Sequence, residues 1–233
     1  MGLHSLEGEN GNGVSANDGF GAVIFDLDGT LLDTLADIGD SVNRMLAEYG
    51  FPGHATDDYR RFIGNGLPKL VARALPTADR SEETIGACVK RAREIYWENW
   101  NRKTRPYDGI VDLLDALEER KIPKAVLSNK PHDFTVRYVR SYFKQWGFNI
   151  VKGYNDDFPA KPDPAAALDI ARRIGLPPAA CLFVGDSAVD MQTALSAGMH
   201  AVGVAWGFRG GRELVENGCQ TLVNAPAEIL RLL

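Results

Sequence analysis

The chain has 233 residues, 45% hydrophobic and 24% charged, with 24 Gly, 12 Pro and 3 Cys, a balance that excludes collagen-like, coiled-coil and wholly disordered proteins. Asp+Glu outnumber Lys+Arg by 31 to 26, a net charge of −5. That argues against sequence-independent nucleic-acid binding, which needs clustered basic charge, yet leaves room for a local basic site that takes a small phosphorylated molecule. At ~150 residues per domain the length falls between one domain and two, as for a core with a sizeable insertion.

Residues 1–19 are rich in Gly, Asn, Ser and Glu without apolar periodicity, and are expected to form a mobile tail. They lack the basic and apolar regions of a signal peptide. Gly11, Gly13 and Ala16 match the pattern GxGxxA, but this precedes the first strand instead of following one, so it does not signal dinucleotide binding. No run in the chain reaches the ~18 apolar residues of a membrane span. Cys88, Cys181 and Cys219 are far apart and form no CxxC pair. They are expected to be buried, inert thiols, which suits a reducing cytoplasm.

From Gly21 to Phe25 a short apolar run ends in acids, as a buried parallel strand does. Similar runs recur at 123–128, 181–185 and 200–204. Helix patterns lie between them. Ile110, Leu113, Leu114 and Leu117 make an i, i+3, i+4, i+7 stripe. Asp163 as cap, Pro164 at the first turn and Gly175 at the end frame another helix. Strands alternating with helices predict an α/β fold, a Rossmann-like parallel sheet.

The alternation fails between residues 35 and 103, where four helix patterns occur with no convincing strand. One stripe is Leu35, Ile38, Val42 and Met45, closed by Gly50; a weaker pattern runs from Thr56 to Ile63. Leu67, Leu70, Val71 and Ala74 follow, then Ile85, Cys88, Val89, Ala92, Ile95 and Tyr96 after Ser81 as N-cap. The expected organisation is a tail (1–19), an α/β core (20–34 and 104–233) and an inserted, small all-helical cap (35–103). Trp97 and Trp100 on the last of these helices are read as packing residues.

The first strand ends Asp26-Leu27-Asp28-Gly29-Thr30. Two like-charged carboxylates at the carboxyl end of a strand lose hydration and repel, and in open α/β sheets that end is where ligands bind. A turn built on Asp and Gly would explain DxDG alone; a divalent cation held by hard oxygens, Mg²⁺ above all, explains why two acids stand there. Gly185-Asp186-Ser187-Ala188-Val189-Asp190 repeats the theme. Asp186 sits at a strand end, with Asp190 one helical turn on. A helix N-terminal acid accounts for Asp190 but poorly for Asp186. Ser128 and Asn129 at a third strand end suit phosphoryl oxygens, and Lys161, between Ala160 and Pro162, is placed to act as a fixed positive charge. His4, His54, His132 and His200 lack metal-ligand spacing.

The order DxDGT, apolar-SNK, KPDP, VGDSxxD resembles the haloacid dehalogenase superfamily of phosphotransferases over residues 20 to 233, and the helical insertion resembles the family's C1 cap. Within it, Arg61-Phe62-Ile63-Gly64-Asn65-Gly66, Tyr107-Asp108-Gly109, Ser128-Asn129-Lys130-Pro131 and Val204-Ala205-Trp206-Gly207-Phe208 are similar to bacterial phosphoglycolate phosphatases. The resemblance implies that Asp26 is the nucleophile, forming an aspartyl-phosphate, and that Asp28 is the general acid and base. It implies Mg²⁺ held by Asp26, the Asp28 carbonyl and Asp186, and phosphoryl oxygens held by Ser128 and Lys161. Asp190 would support Lys161 or the metal's waters. Thr30, Asn129, Gly64, Asn65 and Gly66 are candidate substrate contacts, and Arg60, Arg61 and Lys69 candidate partners for a substrate carboxylate. An acid at position 28 speaks against dehalogenation, since a departing halide needs no proton. The implied partner is a small phosphorylated metabolite, with no nucleic acid or membrane, and with monomer or homodimer both left open. A phosphomutase, a phosphatase for sugar phosphates, nucleotides or pyrophosphate, and a non-catalytic binding module are the alternatives.

Overall fold

A computed structural model describes residues 19–233; the tail expected over residues 1–19 therefore lies almost wholly outside the described residues. Six strands form one parallel sheet in the order β5-β4-β1-β6-β7-β8. They are β1 (Ala22–Phe25), β4 (Lys124–Pro131), β5 (Ile150–Tyr154), β6 (Cys181–Gly185), β7 (His200–Val204) and β8 (Thr221–Val223). Strand side chains alternate between faces, and this alternation divides the apolar residues into two layers. Val23, Phe25, Val126, Leu182, Val184 and Val202 pack beneath α5 (Ile110–Glu119) and α6 (His132–Tyr142). Ala22, Ile24, Ala125, Leu127 and Phe183 pack beneath α7 (Ala165–Ile174) and α8 (Ala188–Ala197). Covered on both faces, β1 has no polar residue, as buried parallel strands require. The last helix, α9 (Gly211–Glu216), lies against β7 and β8.

Residues 35–103 contain α1 (Leu35–Glu48), α2 (Tyr59–Phe62), α3 (Leu67–Ala74) and α4 (Glu82–Asn99). Their stripes meet in a separate apolar cluster that includes Ile38, Met45, Tyr59, Leu70, Cys88 and Ile95. The Ser81 hydroxyl accepts the Thr84 N–H at 3.1 Å and starts α4. On each side of this helical stretch lie β2 (Leu32–Asp33) and β3 (Arg105–Pro106), paired antiparallel. The stretch thus leaves and rejoins the core through one two-rung neck. Asp37 reinforces it: its carboxylate accepts the N–H groups of Lys103 and Thr104 and the Thr104 hydroxyl at 2.8–3.0 Å.

Several expectations shift. β5 and β8, both edge strands, were not foreseen, and α7 begins one residue late, with Pro164 in the capping position and Asp163 accepting the Ala165 N–H. Trp100 is buried as expected, but Trp97 is 44% exposed with the Arg137 guanidinium over its ring. Among the described residues no helix is long and apolar enough to cross a membrane.

Candidate active site

The strand order changes direction beside β1, which pairs with β4 on one side and β6 on the other. The crevice at the carboxyl ends of such strands is the natural ligand site of an open α/β sheet. Asp26 follows β1, Ser128 and Asn129 end the regular part of β4, and Asp186 follows β6. All four line a cavity roofed by Ile38, Val42, Ile63, Leu67 and Leu70 of the helical stretch. The cavity measures about 70 Å³, on the order of five waters at the ~10–15 Å³ that one water site requires.

Two glycines let the backbone close around Asp186. At Gly29, φ is +85° and a Cβ would lie 2.2 Å from Asp186 Oδ2; at Gly207 a Cβ would lie 2.2 Å from Asp186 Cβ. A side chain at either position would displace the acid.

Lys161 holds the centre. Its Nζ lies 2.6 Å from Asp190 Oδ1, 2.9 Å from Asp26 Oδ1 and 3.1 Å from the Leu127 carbonyl. Burial works against its charge, but Asp190 and Asp26 outweigh burial and hold its pKa above that of an ordinary lysine. The second Asp190 oxygen accepts the Ser187 N–H at 3.1 Å and hydroxyl at 2.6 Å. Both Asp190 oxygens are thus engaged in supporting Lys161 and the start of α8.

Asp26 and Asp186 are less satisfied. Lys161 is close to Asp26 Oδ1 but off the direction of a hydrogen bond, which leaves that buried oxygen without an aligned donor. Burial pushes the Asp26 pKa up to about 6, with Lys161 opposing and Asp190 adding to the rise. Burial, then Asp190 and Asp26, hold Asp186 well above the usual carboxylate range, although the Phe208 N–H donates to its Oδ2 at 2.7 Å. Asp26, Asp186 and Asp190 offer oxygens within 4.8 Å of one another. Clustered buried carboxylates with an orphaned oxygen fit a small divalent cation, whose charge offsets their repulsion.

Asp28 stands apart from this cluster. Lys130 Nζ donates to its two oxygens at 2.9 and 3.0 Å, and the Thr34 hydroxyl donates to Oδ1 at 2.7 Å. Lys130 also donates to the Tyr96 hydroxyl at 2.9 Å and lies 4.8 Å from the centroids of the Tyr96 and Tyr138 rings. The sequence reading quoted Lys130 but gave it no role. A signal was there: Ser128 and Lys130 are two apart on one strand, so they share a face.

Other expected contacts divide. Gly64 and Gly66 line the cavity, whereas Thr30 and Asn65 do not. Thr30 is fully buried beneath the turn, and Asn65 Oδ1 is taken by Arg73. Asn129 lines the cavity, but its amide is spent on the Gly64 carbonyl, the Lys161 carbonyl and the Lys161 N–H. Arg60, Arg61 and Lys69 do not line it. Arg60 reaches the Gly207 carbonyl, while Arg209, absent from the sequence reading, lines the cavity and donates to the Arg61 and Ile63 carbonyls. His54, His132 and His200 make structural hydrogen bonds; His4 lies outside the described residues.

A family model for haloacid dehalogenase-like hydrolases matches residues 23–204. A phosphoglycolate phosphatase of Nitrosospira multiformis is 35% identical over 91% of this chain and 95% of its own. Phosphoglycolate phosphatase 1 of Pseudomonas aeruginosa is 33% identical over 89% of this chain and 78% of its own. A solved chain from Lactobacillus delbrueckii subsp. bulgaricus superposes with a TM-score of 0.86 at 27% identity, covering 91% of this chain and 97% of that one. With the acids, serine and lysine of its motifs gathered at one switch point of a parallel sheet, and with these likenesses along nearly its whole described length, the chain belongs to the haloacid dehalogenase-like hydrolase family.

Proposed function

We propose that the protein is a Mg²⁺-dependent phosphatase of small phosphomonoesters, with 2-phosphoglycolate as its substrate. The observation that carries this reading is the buried Asp26 carboxylate. It faces the cavity beside Lys161, with Asp28 two residues on. The substrate is suggested by the names of the Nitrosospira and Pseudomonas relatives, and the small cavity suits a two-carbon ester.

In this reading an Asp26 oxygen attacks phosphorus as the ester oxygen departs, leaving an aspartyl-phosphate. Asp28 gives the departing alkoxide its proton, then takes one from the water that attacks the phosphorus of the acyl phosphate. This releases inorganic phosphate and restores Asp26. Such proton transfers are typically worth ~10²–10⁴ in rate. Ser128 and Lys161 hold the transferring oxygens, and Asp190 holds Lys161. Asp26, Asp186 and the Asp28 carbonyl are the groups that would hold Mg²⁺, which when bound neutralises charge between an anionic nucleophile and an anionic ester.

Residues 35–103 act as a cap that covers the ester and excludes water. Support comes from the apolar roof and from bonds crossing between cap and core at Arg60, Asn129 and Arg209. The test is phosphate release with and without Mg²⁺, comparing kcat/KM for 2-phosphoglycolate, sugar phosphates, nucleotides and pyrophosphate. Highest kcat/KM on 2-phosphoglycolate, lost on chelation, is the expected result. Release from no ester would overturn the phosphatase reading, and a sugar phosphate or nucleotide as best substrate would overturn the choice of substrate.

A further inference from the structure

A substrate that carries a carboxylate beside its phosphoester needs a cation in the cavity, and the helical stretch does not supply one. Its contribution to the wall is Ile38, Val42, Ile63, Leu67, Leu70 and Ala92, with Ser41, Tyr96 and two glycines. Among the described residues, the cations that line the cavity are Lys130 and Arg209. One terminal nitrogen of the Arg209 guanidinium is spent on the Arg61 and Ile63 carbonyls and its Nε lies 3.8 Å from Glu213, and Lys161 is shared between Asp190 and Asp26.

Resting on the phosphatase reading, we infer that Lys130 is the specificity-determining residue of this site: it receives a carboxylate borne on the carbon next to the ester oxygen. Asp28, as proton donor, must come within ~2.8 Å of the departing oxygen. Lys130 Nζ lies 2.9–3.0 Å beyond the Asp28 oxygens, so it stands within about 6 Å of the departing oxygen. In an ester of a two-carbon hydroxy acid the carboxylate is separated from that oxygen by a single carbon. Turned toward Lys130, that carboxylate comes within hydrogen-bond reach of Nζ.

The lysine is built for an exchange of partners. An ammonium has three donors; here two go to Asp28 and one to Tyr96. Moving one donor from Asp28 to the substrate keeps all three satisfied, leaves Lys130 bonded to Asp28 and needs no long swing. The two tyrosine rings hold the charge throughout by cation–π attraction. A buried cation in a wall otherwise largely apolar discriminates strongly, because an ester without the carboxylate gains nothing from it.

The test compares 2-phosphoglycolate with ethyl phosphate, which has the same two-carbon length but no carboxylate, by the ratio of their kcat/KM values. In wild-type protein that ratio is expected to favour 2-phosphoglycolate by roughly 10- to 100-fold, since one hydrogen bond to a charged group contributes ~1.5–3 kcal/mol. Lys130→Met should bring the ratio to near unity, and Lys130→Arg should keep part of the preference. Lys130→Met leaves Asp28 without its cation and is the variant most prone to misfold. Lys130→Arg, which keeps the charge, and the wild-type ratio itself then decide the matter.

A residue that merely positions Asp28 would lower both esters together and leave the ratio intact, a result that overturns the proposal. So would wild-type hydrolysis of both esters without preference, which leaves the phosphatase reading standing. Hydrolysis of neither ester would overturn the proposal together with the choice of 2-phosphoglycolate as substrate.

Discussion

Replacing Asp26 by Asn should make the metal-free protein more stable at neutral pH while abolishing turnover. The Asp26 carboxyl ionises at 3.8 in the absence of its surroundings and at about 6 within them, chiefly through burial. The folded chain therefore keeps this proton to higher pH than the unfolded chain. Stability falls as pH rises from 3.8 to about 6 and stays low above that window. A shift of about two units corresponds to ~3 kcal/mol at 1.36 kcal/mol per unit. Asn keeps the shape and removes the charge, so at pH 8 without divalent cations Asp26→Asn should melt roughly 6–12 °C above wild type, at ~2–4 °C per kcal/mol for a chain of this size. At pH 3.5, where Asp26 is protonated in the folded chain and mostly so in the unfolded one, the difference should shrink to roughly a few tenths of a kcal/mol. Thermal unfolding followed by circular dichroism in a chelator, at several pH values, reads this directly, with phosphate release measured on the same samples. Equal destabilisation at pH 3.5 and pH 8 would refute the reasoning, because Asp26 would then stabilise the fold by packing alone. Substantial residual turnover would refute its role as nucleophile.

Lys161→Met removes the ammonium that bridges Asp26 and Asp190 and should cost ~3–5 kcal/mol, the usual consequence of leaving a buried charge uncompensated. Denaturant unfolding would show it, and Asp190→Asn in the same chain should recover part of the loss. Ser128→Ala should lower kcat by roughly 10²–10³-fold, as loss of one donor to the transferring group does, with only a small fall in melting temperature, since the Lys130 N–H loses the long 3.3 Å bond to the Ser128 hydroxyl. Phe183→Ala, in the fully buried layer beneath α7 and α8, should cost ~3–5 kcal/mol, seen as a lower urea midpoint with little change in KM. Ser128→Ala and Phe183→Ala each pair a stability readout with a kinetic one, which separates scaffold from chemistry.

The sequence made the central strands plain because burial on both faces leaves only apolar residues, as at Ala22–Phe25 and Cys181–Gly185. The edges were illegible for the same physical reason in reverse. Ile150–Tyr154 carries Lys152 and Gly153, and Thr221–Val223 is three residues long, so neither repeats a pattern long enough to read. Asp26, Asp28 and Asp186 could be located because they sit where a strand gives way to a loop, Asp190 because it stands in the first turn of the helix that follows, and Lys161 because it stands beside a proline shortly before α7. Lys130 escaped notice because its partners, Asp28 and Tyr96, lie 102 and 34 residues away, and a local pattern does not contain them. Asn65 and Thr30 were mistaken for cavity contacts because a turn residue beside a motif reads the same whether its side chain faces ligand or protein.

The two-rung neck at Leu32–Asp33 and Arg105–Pro106 has an implication for how such a molecule can diversify. A segment that begins and ends at one place is, for the core, a single long loop. Closing such a loop grows only slowly more costly with length, about 0.6 kcal/mol for each doubling. Helices can be added, trimmed or exchanged there while the strands keep their register and the acids their places, so that the choice of ester and the means of breaking it vary separately. One residue limits that freedom. Tyr96 reaches down from the insertion to Lys130, and any replacement segment would have to bring a companion for that buried charge.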